Sequence, residues 1–168
     1  LYYHHGTTSL KKGNVGCNQL YTSLIRGSTL VILNSWLPRD ILSALKAHEI
    51  TGFSGVPSIW QSLLSVDPML LKDACKSLRY LTISGGSLSA VDQTKLRDVL
   101  DHVDFYKTYG QTETFRSAML MPDEFRLKSA TIGRPPAGVQ VAIIRPDGTR
   151  AAPGEVGEII HFGVGTMK

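Results

Sequence analysis

Residues 103–114 read Val-Asp-Phe-Tyr-Lys-Thr-Tyr-Gly-Gln-Thr-Glu-Thr, a strand-like run that passes into a short polar turn. Gly110 lets the backbone turn sharply or approach a ligand closely. Thr112 offers a hydroxyl suited to a phosphate oxygen, and Glu113 offers a carboxylate suited to Mg²⁺, a hard cation that bridges phosphates. The stretch therefore indicates a site for a nucleotide phosphate and its metal, with a plain polar loop after a strand as the alternative.

Outward from this stretch, strand-like and helix-like segments alternate along the chain. Runs of apolar and β-branched residues predict strands at residues 29–33, 50–56, 80–84 and 103–109. Helical periodicity and start signals predict helices over 38–48, from Pro57, and over 89–100, the last opened by the capping pair Ser89 and Asp92. Strands that alternate with helices favour a layered α/β fold with a mostly parallel sheet.

The last third of the chain changes character. Residues 139–144 and 157–162 read as strands, and the turn signal Arg145-Pro146-Asp147-Gly148 follows the first of them. This pattern predicts antiparallel β-strands appended to the α/β part. Residues 121–129 are polar enough to predict an excursion over the surface.

A glycine-rich turn follows the predicted strand at residues 80–84. It consists of Gly85, Gly86 and Ser87. In doubly wound sheets, ligands bind beyond the carboxyl ends of the strands. If the strands 80–84 and 103–109 are neighbours, this turn and the turn beginning at Gly110 open into one crevice; the alternative is a tight turn without a ligand.

Four ordered motifs carry a family resemblance: Leu78–Leu88, Tyr109–Thr114, Ile132–Pro136 and Gly154–Ile159. In this order and spacing they resemble the adenylate-forming, AMP-binding superfamily of acyl-CoA synthetases, luciferases and peptide-synthetase adenylation domains. The chain is most similar to an AMP-forming acyl-CoA ligase. Three further segments suggest the subgroup associated with exosortase systems: Cys17–Leu20, Leu37–Asp40 and Phe115–Ser117.

The resemblance implies roles for the residues of both turns. Residues 85–87 would border the adenine, Tyr109 would pack along it, and Gln111 would lie near the nucleotide or the carboxylate. Thr112 would bind the α-phosphate and Glu113 the Mg²⁺ ion. Thr112 and Glu113 would be the catalytic residues, and Gly110 would belong to the nucleotide-binding set.

Residues 3–13 resemble a worn version of the family's phosphate loop. The matching positions are Gly6, Thr7, Thr8, Lys12 and Gly13, whereas His4, His5, Ser9 and Lys11 depart from the pattern. A loop of this kind holds phosphates with backbone N–H groups and a lysine; the alternative is a disordered tail. The family places a long segment between this loop and the counterpart of Cys17–Leu20, so the short spacing here implies the loss of an internal block.

The resemblance also implies an activity. The full enzyme would activate a small carboxylate with ATP and Mg²⁺ to an acyl-adenylate, then form a thioester with a thiol such as CoA. The family's Thr-Gly-Asp motif, hinge and catalytic lysine fall beyond Lys168, which is not that lysine. We therefore expect the chain alone to be incomplete for catalysis. The alternatives are a nucleotide-binding module without turnover and a structural fragment that binds nothing.

Composition limits the remaining function classes. The 168 residues are 42% hydrophobic and 19% charged with a net charge of +4, ordinary values for a globular domain. No basic stripe interleaved with aromatic residues supports a nucleic-acid partner. No apolar run is long enough to span a bilayer, and no signal peptide is visible. Cys17 and Cys75 match no metal spacing and favour reduced thiols in the cytoplasm.

These signals predict three parts of the chain. Residues 1–15 are the phosphate-loop remnant, residues 16–130 an α/β nucleotide-binding subdomain, and residues 131–168 a β-rich segment that starts a β subdomain.

Overall fold

The computed structural model describes residues 5–7, 14–163 and 165–167. Six helices occur in these residues: α1 Asn14–Arg26, α2 Pro38–Ala47, α3 Pro57–Leu64, α4 Pro68–Ala74, α5 Ala90–Val99 and α6 Pro122–Lys128. The strands there are β1 His5–Thr7, β2 Thr29–Val31, β3 Gly52–Gly55, β4 Tyr80–Ser84, β5 Asp104–Tyr109, β6 Ala118–Leu120, β7 Val139–Ile144 and β8 Glu158–Gly163. No helix in this part of the chain is long and apolar enough to cross a membrane.

The strands form two sheets. The larger sheet has the order β2-β1-β3-β4-β5-β6, in which the first five strands are parallel and β6 is antiparallel to β5. The smaller sheet is the antiparallel pair of β7 and β8. This arrangement confirms the predicted fold class of a mostly parallel sheet with helices, followed by antiparallel strands. The division of the chain at residues 15 and 130 stays a prediction.

Local signals set the ends of several helices. Proline occupies the first turn of α2, α3, α4 and α6, where its missing N–H is not needed. The Oγ atom of Ser89 accepts a hydrogen bond from the backbone N–H of Asp92 and caps α5. A side-chain hydrogen bond between Ser89 and the Asp92 carboxyl is the largest cause of the lowered pKa of that carboxyl. The predicted capping pair therefore starts the helix as expected.

The hydrophobic core lies between the larger sheet and its helices. Trp60 of α3, Leu81 of β4 and Leu96 of α5 are fully buried in it. The Nε1 atom of Trp60 donates to the carbonyl of Gly55, 3.1 Å away, and its ring meets Phe53 edge to face at 5.0 Å. Complete burial of one large apolar side chain stabilises a fold by about 1.5–3 kcal/mol.

Residues 121–129 lie largely at the surface, as predicted, but residues 122–128 form the helix α6, which the sequence analysis did not predict. Its first turn carries Asp123 and Glu124, which suit a helix start. Phe125 is fully buried, with its ring centroid 5.4 Å from that of Phe105 on β5. One apolar residue docked on the sheet thus anchors a helix whose other residues are mostly polar. The helices α1 and α4 and the short strand β6 were also absent from the sequence prediction.

Candidate functional site

The two turns singled out in the sequence leave neighbouring strands at the same edge of the sheet. β4 and β5 pair in parallel, and Ser84 lies opposite Thr108 in the register. Residues 85–87 follow β4 and residues 110–114 follow β5, so both turns begin beyond carboxyl ends of strands. This is the position at which open α/β sheets bind ligands.

Two adjoining cavities lie at this edge. The smaller, of about 210 Å³, is lined by residues that include Ser84, Thr112, Phe115 and Arg116. The larger, of about 460 Å³, is lined by residues that include Ser87, Lys107 and Ile132. Both cavities share Gly85 and residues 108–110. The larger volume falls in the range of small-molecule sites.

The turn after β4 depends on the first of its two glycines. Gly85 has a φ of +75°, in the left-handed region that residues with a side chain avoid. A Cβ placed on Gly85 would lie 3.3 Å from Cγ1 of Val56, which follows β3. Gly85 thus lets the chain reverse close to the neighbouring strand and leaves the cavity open above it.

The turn after β5 folds back on itself. The backbone N–H of Phe115 donates to the carbonyl of Gln111 over 2.7 Å, and that of Ser117 donates to the carbonyl of Tyr109 over 2.9 Å. A Cβ on Gly110 would overlap the carbonyl oxygen of Phe115. Glycine is therefore required at position 110, because the carbonyl of Phe115 in the same loop leaves no room for a Cβ atom.

Phe115 has a φ of +63°, which is strained for a residue with a side chain. Such strain persists only where surrounding contacts hold it, and it is concentrated at functional sites. The Arg116 guanidinium lies 5.5 Å from the centroid of the Phe115 ring. Arg116 also lines the smaller cavity, as Thr112 does.

Of the residues predicted to contact the nucleotide and its metal after β5, residues 109–112 line the smaller cavity, whereas Glu113 lines neither cavity. The side chains of Gln111, Thr112 and Glu113 are exposed, whereas Tyr109 is half-buried and borders both cavities. The carbonyl of Glu113 accepts a 2.7 Å hydrogen bond from the backbone N–H of Met167. The backbone of Glu113 is thus fixed while its carboxylate faces solvent.

The donor set around Glu113 limits how it could hold a metal ion. Within the described residues, no group of three or more His, Cys, Asp or Glu side chains surrounds a metal-sized space. Mg²⁺ is commonly held by one or two carboxylates together with phosphates and water. One exposed carboxylate, next in the chain to Thr112 of the smaller cavity, fits a magnesium ion that arrives with its nucleotide.

Lys107 is a buried residue of the site that the sequence analysis did not single out. It is 6% exposed on β5 and lines the larger cavity. Its Nζ atom donates to the carbonyl of Ser129, at the end of α6, over 2.9 Å. Burial lowers the pKa of the Lys107 amine, because the charged form loses solvation. The bond joins β5 to Ser129, which precedes Ala130 and Ile132 of the larger cavity in the chain.

His161 is half-buried on β8. Its Nδ1 atom lies 3.0 Å from Oγ of Ser117, three residues beyond the turn of residues 110–114, which we call the motif loop. The two residues are 44 positions apart in the chain, so no local spacing could have signalled the contact.

The predicted phosphate loop lies only partly within the described residues. Gly6 and Thr7 belong to β1, which ends at the same sheet edge as β4 and β5 because all three strands are parallel. Thr8, Lys12 and Gly13 lie outside the described residues. The role of this segment stays a prediction.

Two other motif residues have structural partners. Arg134 forms an ion pair with Glu124 of α6 over 2.5 Å. Glu155 pairs with Arg145 and accepts a 2.6 Å hydrogen bond from the backbone N–H of Ala152. The carboxylate of Glu155 thus holds the connection between β7 and β8.

Comparison with known proteins identifies relatives of this arrangement. Residues 14–168 match the family described as AMP-binding enzyme. The 2-succinylbenzoate–CoA ligase of Bacillus pumilus is 30% identical over 157 residues, which cover 91% of this chain and 30% of that protein. The chain thus spans about a third of the length of the curated relatives it matches.

Solved structures of a related enzyme share the fold. The O-succinylbenzoate coenzyme A synthetase of Bacillus subtilis, in complex with ATP and magnesium, superposes with a TM-score of 0.86 at 27% identity over 98% of this chain and 34% of that one. The same enzyme with the acyl-adenylate intermediate OSB-AMP gives a TM-score of 0.84 at 26% identity, over 98% and 33% of the two chains.

Proposed function

The chain belongs to the family of AMP-binding enzymes, and from this premise we propose that it is the nucleotide-holding part of an AMP-forming acid–thiol ligase. One observation supports the proposal most strongly. The turns 85–87 and 110–114 leave adjacent parallel strands at one edge and line two adjoining cavities. An edge of this kind places backbone N–H groups and short polar side chains around a phosphorylated ligand.

The proposed reaction has two steps. A carboxylate oxygen of the substrate attacks the α-phosphorus of ATP, and the bond from that phosphorus to pyrophosphate breaks, giving an acyl-adenylate. A thiolate, such as that of CoA, then attacks the acyl carbon and releases AMP. The names of the relatives support both steps, since they are CoA ligases and one was solved with an acyl-adenylate. The exosortase-associated subgroup stays a prediction.

The residues at the mouth of the site have distinct roles in this proposal. Residues 85–87 and Tyr109 border the nucleobase, and Gln111 lies near the nucleotide or the carboxylate. The hydroxyl of Thr112 donates to an α-phosphate oxygen. The carboxylate of Glu113 binds Mg²⁺, which supplies positive charge where charge builds on the phosphate.

We also propose that the protein works in the cytoplasm. Cys75 is a free, buried cysteine, and burial raises the pKa of its thiol to about 12. A reduced, unreactive thiol of this kind is usual where the glutathione pool keeps cysteines reduced.

Titration of the chain with ATP, with and without Mg²⁺, tests the proposal. We expect Glu113→Ala to weaken Mg·ATP binding about tenfold, as for the loss of one charge-assisted contact. Binding of metal-free ATP should change little, because the exposed carboxylate contacts the nucleotide only through the metal.

Glu158→Ala is the matched control, since Glu158 is an exposed glutamate on β8 away from both cavities. It should leave both affinities unchanged. Equal weakening of both affinities by Glu113→Ala would reject the metal role. Absence of any ATP binding by the parent chain would favour the structural fragment. Binding without pyrophosphate release is expected both of an incomplete ligase and of the module without turnover, whereas pyrophosphate release by the chain would reject that module.

A further inference from the structure

A chain of side-chain hydrogen bonds joins the smaller sheet to the motif loop. It starts at His161 on β8, whose Nδ1 atom lies 3.0 Å from Oγ of Ser117. The same Oγ atom lies 3.3 Å from Oγ1 of Thr114, the residue after Glu113. Ser117 is 3% exposed, so this contact is largely shielded from water. A hydrogen bond left unmade in such a place costs more than one at the surface.

The segment that follows β8 contacts the same loop. The backbone N–H of Met167 donates to the carbonyl of Glu113 over 2.7 Å. A Cβ placed on Gly165 would lie 3.4 Å from the carbonyl oxygen of Thr114, which is ordinary van der Waals distance. The end of the described chain therefore packs along residues 113–115, and His161 fixes the strand from which it departs.

The loop needs contacts of this kind because its backbone is strained. Phe115 holds a φ of +63° between Thr114 and Ser117, which are the two residues that complete the chain of hydrogen bonds. The side chains of Thr112 and Glu113 are exposed, so their own packing does little to fix their positions. Their placement follows from the backbone on either side.

The imidazole of His161 is anchored through one nitrogen. Its Nε2 atom is buried and has no hydrogen-bond partner among the described residues, whereas Nδ1 lies within bonding distance of Ser117. Which of the two atoms donates depends on the tautomer and on the rotation of the hydroxyl. The contribution of His161 to the loop therefore depends on a polar atom at the position of Nδ1.

We propose that His161 is a positioning residue for the loop of residues 110–114, and that the β7–β8 hairpin acts on nucleotide and metal binding through it. The proposal rests on the proposed function, since it assigns to His161 an effect on the metal role of Glu113. His161 does not contact the nucleotide in this proposal. It holds Ser117 and Thr114, and these hold the backbone that presents Thr112 and Glu113.

Three substitutions at position 161 test the role of the Nδ1 atom. Asparagine places an amide atom where Nδ1 stands, because both atoms are two bonds from Cβ. Glutamine instead reaches towards the position of Nε2, and leucine offers no polar atom. We expect His161→Asn to keep the parent behaviour, and His161→Gln and His161→Leu to lose it.

Ser117→Ala removes the same hydrogen bond from its other end with a smaller change in volume. If the substitutions at His161 unfold the hairpin, Ser117→Ala still tests whether the hydrogen bond positions the loop. We expect Ser117→Ala, which also removes the contact with Thr114, to have at least the effect of His161→Leu, and the double variant to be no worse than Ser117→Ala.

The first readout is hydrogen exchange in the nucleotide-free chain, which needs no ligand. The backbone N–H groups of Phe115, Ser117 and Met167 report on the loop, since each donates a hydrogen bond within it or to it. Their exchange should accelerate about 3- to 10-fold in His161→Leu, the range expected for one lost hydrogen bond. The N–H of Leu81 in the core strand β4 should exchange as in the parent.

The second readout is the affinity for ATP with and without Mg²⁺. His161→Leu should weaken Mg·ATP binding about 3- to 10-fold, and His161→Asn should restore it. Equal exchange and equal affinity in the Asn, Gln and Leu variants would overturn the proposal, because only side-chain volume would then matter.

Glu113→Ala separates this inference from the proposed function. If Glu113→Ala abolishes the Mg²⁺ dependence while His161→Leu changes neither readout, the proposed function holds and the positioning role is wrong. If Glu113→Ala has no effect on binding while the exchange pattern follows the expected order, the positioning of the loop holds and the metal role is wrong.

Discussion

The layered α/β part and the β7–β8 hairpin are stabilised in different ways. In the part of the chain whose side chains are described, the buried core residues lie between Ile41 and Phe125, packed between the larger sheet and its helices. Among the described residues after Phe125, none is buried, and Phe162 and Val156 are largely exposed. The first region is held by removal of apolar surface from water. The second is held by backbone pairing, polar side chains and contact with its neighbour.

The polar contacts of the hairpin centre on Arg145. Its Nη1 atom donates to Oγ1 of Thr149 over 2.9 Å and to the carbonyl of Arg150 over 2.8 Å. Its Nε atom donates to the carboxylate of Glu155 over 3.0 Å. An isolated two-stranded hairpin is marginal in water. The hairpin therefore depends on contacts with the layered part. The motif loop lies where these two regions meet.

Replacement of the buried tryptophan would have the largest effect. We expect Trp60→Ala to lower the free energy of unfolding by about 3–5 kcal/mol, because it leaves a cavity in the core and an unpaired Gly55 carbonyl. Urea denaturation measures the change. Trp36→Ala is the matched control: Trp36 is 52% exposed, and its loss should change stability by about 0.5 kcal/mol or less. Similar losses of unfolding free energy in both variants would contradict the distinction between the buried core and the surface.

A substitution in the polar network of the hairpin would have a smaller and more local effect. We expect Arg145→Met to accelerate exchange of the Gly148 and Ala151 N–H groups about 3- to 10-fold, since it removes several charge-assisted contacts of the turn. The urea midpoint should change little, because the hairpin adds no residue to the core.

Arg39→Met is the control for this substitution. Arg39 pairs with Asp40 at 3.4 Å, with a side chain that is 81% exposed, and such surface pairs contribute about 0–1 kcal/mol. It should leave hairpin exchange unchanged. A fall in the urea midpoint for Arg145→Met as large as that for Trp60→Ala would show that the two regions unfold as one unit.

The smallest expected effect is the acid response of surface carboxylates. Hydrogen bonds and charge from Lys46 and Lys76 lower the pKa of Asp73 from 3.8 to about 2. Because the pKa is depressed in the folded state, the stabilisation is present above pH 3.8 and is lost as the pH falls through about 2. The stability difference between the parent and Asp73→Asn should therefore shrink between pH 5 and pH 2, as measured by urea midpoints.

Asp147 offers a comparison in the hairpin. Hydrogen bonds from the hydroxyl and backbone N–H of Thr149 lower its pKa, without a cationic partner among the causes. Added salt should therefore weaken the effect of Asp73→Asn and leave that of Asp147→Asn nearly unchanged, because salt screens charge–charge attraction between exposed groups. Equal salt sensitivity would contradict these causes.

Much of the layered region could be predicted from local pattern. The strand at residues 80–84 alternates between half-buried and buried positions, so its period of two is visible in the sequence. The capping pair Ser89 and Asp92 marks the start of α5 within one residue. The hairpin strands were found in the same way, since a β-run, a turn signal and a second β-run identify an antiparallel pair without reference to distant residues.

In the candidate site, too, local pattern predicted some features and only the packing of distant residues showed others. The motif indicated that Gly110 and Glu113 are functional residues, and the family resemblance implied a role for Glu113 as a Mg²⁺ ligand. It did not show that Gly110 is required by the carbonyl of Phe115, or that Lys107 is buried against Ser129. These contacts arise from how the chain packs, and a lysine in a strand-like run reads as exposed because most lysines are.

The sequence by itself determined the alternation of strands and helices in the layered part, the family, and the two turns beyond the strand ends, because each is written in a few neighbouring residues. Only the tertiary structure decided that β6 closes the sheet, that Phe125 anchors α6 on β5, and that His161 meets Ser117. The physical reason is distance along the chain. A local pattern indicates only the period and composition of its own segment. The partner of a buried side chain is selected by packing among segments that lie tens of residues apart in the chain.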